Sequence, residues 1–402
     1  MLKDNEIDNL IQPFVERQEK LNEYVIGKIA QRVKQVGSLS KGDVYKLSQL
    51  LKVGADARSI NQEIASVLRV QEQNVKSMIR LASIKTYTDA KPFYDYRHIT
   101  QIPYERNTRL QRTVNAISKV TEGTFKNLSN SKAIGFTIRD MKNPSIFKFQ
   151  NVTQTYQSVI DEAVQAVHTD TMDFDTAMRR TLRQLNDSGL RTVHWDSGYS
   201  RRLDSTVRMN ILGGLRQLNQ QIQQQIAEEI KADGIELSAH SFSAPDHEPV
   251  QGRIFTLKQF DRMQNEMDFE DIDGKHYTSI RRPIGEWNCR HFTQAIIIAK
   301  HKPTWTSKDL DELKEQNAEG YTDRNGKHYT MYECTQVMRD YELKIRKSKE
   351  GYMMAKQADN EKLADEYKAK IAQYQAEYRQ FSKDCGITRQ NKRTFVPNYS
   401  NF

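Results

Sequence analysis

One apolar stripe constrains this chain more than any other feature. Val207, Ile211, Leu215, Leu218, Ile222, Ile226 and Ile230 follow one another at steps of four, four, three, four, four and four residues. That spacing keeps one face of an α-helix continuously apolar. It predicts a single unbroken helix over 205–231, entered after Asp204-Ser205 and ended by Asp233-Gly234. A stripe of that length must be covered by other elements along its whole run, so the chain around it is expected to be mostly helical. Gly213-Gly214 lies inside this helix, where missing side chains let a neighbouring backbone approach closely rather than bind phosphate.

Shorter periodic runs flank the stripe. Leu10, Phe14, Leu21, Val25, Ile29 and Val33 predict one helix. Ser40 as N-cap, then Val44, Leu47 and Leu51, with Gly54 as the stop, predict a second. Ile60, Ile64 and Val67 predict a third, and Val75, Met78 and Ile79 a fourth, making 1–85 a helical bundle. Residues 86–108 are aromatic and irregular, and read as a linker or packed loop at a domain boundary. Residues 109–234 form a central helical domain, with strand-like residues around Asn143-Pro144 and a helix stopped by Ser188-Gly189.

Beyond Gly234 the pattern changes. Residues 235–242 and 252–257 read as strands. Asp273-Gly274 and Asn325-Gly326 are hairpin dipeptides, and each opens a nearly identical hexapeptide, DGKHYT and NGKHYT, 52 residues apart. A duplicated hairpin is one reading, within an α+β module over 235–330. Leu363, Tyr367, Ile371, Tyr374, Tyr378 and Phe381 then approximate a heptad seam on one C-terminal helix, 331–385. The seam needs a partner helix, from its own domain or from a second copy in an oligomer. Residues 386–402 read as an extended tail. The fold class expected is mainly α with a smaller α+β module.

Several functions are disfavoured at once. The longest apolar run is Ala295–Ala299, against the roughly 20 residues of a membrane span. The first residues carry acidic side chains and no apolar core, so no signal peptide is expected. Cys289, Cys334 and Cys385 are odd in number and far apart, which disfavours a disulfide framework. No phosphate-cradling G-x-x-x-x-G-K-[ST] occurs. The net charge is +9, and the first 130 residues hold 21 Lys and Arg against 14 Asp and Glu. That diffuse excess suits a nearby polyanion but is weaker than the clustered stripe of a sequence-specific DNA reader. Arg201, Arg202 and Arg208 are expected to pair with Asp204 and nearby acids; phosphate or a neighbouring subunit is the other reading.

Reactive side chains concentrate between 238 and 291. Ser238, His240, Asp246, His247, Gln251 and Gly252 are followed by Trp287, Asn288, Cys289, Arg290 and His291. Three readings compete. His240, His247, Cys289 and His291 have the chemistry of a zinc set, but His-x6-His with Cys-x-His is no finger spacing. Cys289 and His291 contain the parts of a nucleophile and base, without a glycine-framed elbow before the cysteine. The third reading is a hydrogen-bonded knot that braces the module with neither metal nor catalysis, and the spacing favours it.

Four blocks carry a resemblance. RTVHWDSGYSRRLDSTVRMNI (191–211), IELSAHSFSAPDHEPVQGRIFTL (235–257), GEWNCRHF (285–292) and YTMYECTQVMRDYELKIRKSK (329–349) resemble, in order, segments of the phage minor capsid protein 2 family. That family is related to the Mu F-like head morphogenesis proteins. Ser238, Gln251, Gly252, Asn288 and Arg290 fall on its motif positions. Ala244-Pro245-Asp246-His247 departs from it, lacking the basic residue usual before the second histidine. The resemblance implies a low-copy structural protein of a tailed-phage head, made in the host cytoplasm and carried in the virion. It also implies association with the portal protein, other head proteins and, non-specifically, packaged DNA, and no enzymatic activity or required cofactor. The alternative is a metal-binding, hydrolytic or toxin-like module delivered with the genome.

Overall fold

The structure, a computed structural model, describes residues 4–37, 55–128, 133–139, 146–169, 174–193, 199–265, 267–280, 282–285 and 289–401. In chain order, α1 spans Asp4–Gly37, α2 Ala55–Thr88, α3 Lys91–Tyr96 and α4 Thr108–Leu128. β1 (Ile134–Arg139) and β2 (Phe147–Asn151) precede α5 (Val152–Thr169) and α6 (Phe174–Ser188). β3 (Arg191–Val193) and β4 (Ser200–Arg202) lead into α7, Leu203–Ile230. Next come β5 (Gly234–Leu237), β6 (Ile254–Thr256), α8 (Leu257–Gln264), β7 (Phe269–Glu270), β8 (His276–Tyr277) and β9 (Thr293–Ile296). The remaining elements are α9 (Ser307–Glu319), β10 (Tyr321–Thr322), β11 (His328–Tyr329), α10 (Met331–Gln357) and α11 (Glu361–Asp384). The protein is mainly α with small antiparallel sheets.

The stripe behaves as its spacing requires. α7 is unbroken, and all seven stripe residues are buried. Gly214 lets Thr121 of α4 sit against the helix, where a Cβ would collide with it. The third and fourth helices expected from 60–79 are one helix, α2. Val67 is only half-buried, while Leu68 beside it is buried and carries the apolar face on without a stop. The expected second helix (44–51) and the Asn143-Pro144 turn lie outside the described residues.

Contacts gather the chain into two compact units. One comprises Met1–Gln12, Gln73–Gly123 and Met209–Gln336; the other comprises Pro13–Glu72, Thr124–Arg208 and Val337–Phe402. Neither follows the sequential ranges expected from composition. The boundary expected near 86–108 falls within the first unit, because this segment is packed. Tyr87 and Tyr94 are buried edge-to-face, and Asn107 donates to the Tyr87 hydroxyl at 3.0 Å.

In the first unit, β5 is the centre of an antiparallel sheet ordered β6-β5-β9. The two hexapeptides are indeed matching hairpins. Phe269 pairs with Tyr277 and Glu270 with His276; Tyr321 pairs with Tyr329 and Thr322 with His328. Every paired position is displaced by the same 52 residues found in the sequence. Asp271 accepts from the amides of Asp273 and Lys275, as Asp323 does from Asn325 and Lys327, all within 2.8–3.0 Å. Gly274 and Gly326 take the left-handed φ of +80° and +81° that closes each turn.

In the second unit, β2-β1-β3-β4 form an antiparallel sheet. The C-terminal stretch expected as one helix is two. Asp359 adopts φ +52°, and the Asn360 side chain caps α11 by accepting from Leu363 N at 3.0 Å. The aromatic seam of α11 then turns back onto α10 of the same chain. Tyr341 lies 6.3 Å from Tyr378 and 6.1 Å from Phe381, Tyr378 donates to Glu342 at 2.7 Å, and Gly351 makes room for the Tyr367 ring. The partner helix that the seam calls for is thus supplied by the chain itself. Arg202 is buried and paired with Asp204 (3.3 Å) and Glu350 (3.2 Å), as expected of an ion pair rather than a phosphate contact.

Candidate functional site

The site is built where β5 leaves its sheet. The segment 235–242, expected as strand throughout, keeps strand geometry only to Leu237. The Ser238 hydroxyl accepts from Phe292 N at 2.9 Å, which ties the loop to the Cys289–His291 segment. Gly252, at φ +67°, turns the chain back toward β6, and a Cβ there would meet Leu310. That turn aims Gln251 inward: its Oε1 accepts from His240 N at 3.1 Å and lies 3.5 Å from His291 Nε2.

Three of the four expected side chains converge. His247, Cys289 and His291 are all buried, and one ligand atom from each lies within 4.8 Å of the others. Cys289 Sγ is 3.6 Å from His291 Nδ1. His247 Nε2 is 2.7 Å from the Arg282 carbonyl and 3.7 Å from Asp246 Oδ2. His240 stands apart from the trio, half-buried, with its ring stacked 4.6 Å from that of His291. Arg290 reaches instead to Asp8 of α1 at 3.5 Å. Asn288 lies outside the described residues.

The electrostatics separate the two buried histidines. Burial pushes the Cys289 thiol up, but His247 and the amides of Gly285 and His291 outweigh it, so it titrates below the ordinary thiol range. Burial pushes His247 down, but Cys289, the Arg282 carbonyl and Asp246 raise it above its usual value. The two shifts run toward each other, as in a hydrogen-bonded thiol and imidazole. His291 goes the other way: burial, then His240, His247, Arg282 and Arg216, hold it well below the usual range and neutral.

Sequence reasoning missed the arginines that frame this trio. Arg216, one residue past Leu215 of the stripe, is buried, and its charge is coupled to Cys289. Arg282 pairs with Asp246 at 3.0 Å. A second buried node was missed as well. Glu236 of β5 is fully buried and accepts from Thr304 N and Oγ1 (both 2.7 Å), with His301 Nε2 at 2.9 Å. A carboxylate in an otherwise apolar strand was the available signal. Beside the His247 loop a cleft of about 1060 Å³ opens, lined by Asp246, Arg282, Lys275, Tyr277 and Lys314 among others.

The model of the phage minor capsid protein 2 family matches residues 2–383. No curated protein and no solved structure matches. A match over nearly the whole chain shows that this chain belongs to the phage minor capsid protein 2 family, and so is a structural protein of a phage head, carried in the virion. Among the described residues no helix is long and apolar enough to cross a membrane.

Proposed function

We propose that this family member works at the portal vertex as a non-catalytic assembly component, contacting the portal protein and lying close to packaged DNA. The observation that carries the reading is the exposed basic surface of residues 73–123. Lys76, Arg80, Arg106, Arg112 and Lys119 are all exposed there, beside the exposed apolar side chains of Leu81, Ile102 and Val120. Exposed cations interleaved with large apolar groups suit a protein partner that itself borders a polyanion. The diffuse charge supports passive neighbourhood with DNA, since appreciable non-specific affinity needs several phosphate contacts. A non-catalytic role is supported by the burial of His247, Cys289 and His291, which leaves a substrate little access to the thiol.

Crosslinking of intact heads with a lysine-reactive reagent tests this reading. The expected result is linkage of Lys76 and Lys119 to the portal protein. Linkage of these lysines to the major coat lattice alone would contradict it.

A further inference from the structure

We propose that His247, Cys289 and His291 form a zinc-binding site, a feature that goes beyond the assembly role and does not depend on it. A tetrahedral zinc with bonds of about 2.3 Å to sulfur and about 2.05 Å to nitrogen separates those two ligand atoms by about 3.6 Å. Cys289 Sγ and His291 Nδ1 are 3.6 Å apart, and His247 brings a ligand nitrogen within 4.8 Å of both.

The outer contacts point the same way. Zinc-bound histidines are commonly fixed by a hydrogen bond from the nitrogen that does not bind metal. His247 Nε2 is committed to the Arg282 carbonyl at 2.7 Å, which leaves Nδ1 as its ligand atom. His291 Nε2 lies between Ser243 Oγ (3.4 Å) and Gln251 Oε1 (3.5 Å), which leaves Nδ1 turned to Cys289. Each ring thus has an oxygen partner near its Nε2, and His291 turns Nδ1 to Cys289. His240, stacked on His291, is a further donor beside the set.

Charge is the opposing consideration. Arg216 and Arg282 lie near enough to disfavour a cation. Arg282 is already paired with Asp246, and metal binding converts Cys289 to a thiolate, releasing its proton to solvent. Closure of the site favours a structural ion, since all three ligands are buried. The ion would cross-link the loop after β5 to the segment before β9, beyond the end of the β5–β9 ladder.

The test uses the full chain purified without chelator. Elemental analysis is expected to find about one zinc per chain. After removal of zinc, titration with cobalt(II) is expected to give a thiolate-to-cobalt band in the near ultraviolet and intense visible bands of a tetrahedral site. Cys289→Ser is expected to lose the near-ultraviolet band. Should that variant fail to fold, the cobalt spectrum of the unsubstituted protein still decides. Protein from zinc-supplemented cells that carries no metal, and shows no such cobalt bands on titration, would overturn the site and leave the metal-free knot.

Discussion

Gln223 of α7 accepts a hydrogen bond from the backbone amide of Ala295 at 2.8 Å, in the edge strand β9. One helical turn earlier, Asn219 donates to Thr293 O at 3.2 Å and to its hydroxyl at 3.1 Å. The long helix therefore does two jobs from adjacent rows. Its apolar stripe fills the core, and its amides cover the open edge of the β6-β5-β9 sheet, which would otherwise expose unpaired N–H groups. Gln223→Leu strands the Ala295 amide in a buried setting, at a cost of about 1–3 kcal/mol. Leu215→Asp places an unpaired charge in the stripe itself and is expected to cost more, on the order of 3–5 kcal/mol. Thermal melting of both variants checks the order; an unchanged melting temperature for Leu215→Asp would show that the stripe is not core.

Glu19 supplies a pH dependence with a definite sign. Burial dominates over its partner Arg346 and pushes the carboxyl up from 4.5 to about 7. The folded state thus binds this proton more tightly than the unfolded chain does. Its contribution favours folding at pH 4.5 and below and is lost as pH rises toward 7. A displacement of that size corresponds to on the order of 3 kcal/mol. Denaturant melts of Glu19→Gln against the parent chain isolate it. The variant is expected to gain relative stability between those two pH values, and parallel curves would refute the assignment.

Arg202 holds two buried carboxylates, Asp204 and Glu350, in the second unit. Asp204 stays below its ordinary range because Arg202 and Arg346 together overcome its burial. Arg202→Met leaves both acids short of a counter-charge, and a loss of about 3–5 kcal/mol is expected in urea denaturation. The double variant Arg202→Met, Glu350→Leu removes the carboxylate left stranded while Asp204 keeps Arg346 at 3.4 Å, and is expected to recover much of that loss. Failure to recover would mean that packing, not charge, sets the cost.

The sequence was most legible where local pattern and tertiary burial agree. α7 could be drawn from spacing alone because each stripe residue meets core. The paired hairpins were visible in six shared residues, although the aspartates that organise them, Asp271 and Asp323, lie two positions before each shared stretch. The break between α10 and α11 was written in Asp359-Asn360, but the aromatic spacing beyond it continued a helical rhythm and hid the stop. The merger of 60–79 into α2 failed to show because a single shift of face, from Val67 to Leu68, resembles an ending. The trio of His247, Cys289 and His291 was nameable by type. Its convergence was not, because it depends on how the 16-residue loop between β5 and β6 folds back through Gly252, and no local period encodes that.

The most direct test of the head-assembly account is imaging of mature particles with and without this protein, reconstructed without imposed symmetry about the portal axis. The account predicts difference density confined to the portal vertex, on its interior side. Difference density spread evenly over the coat lattice, or none in particles shown by mass spectrometry to contain the protein, would contradict it.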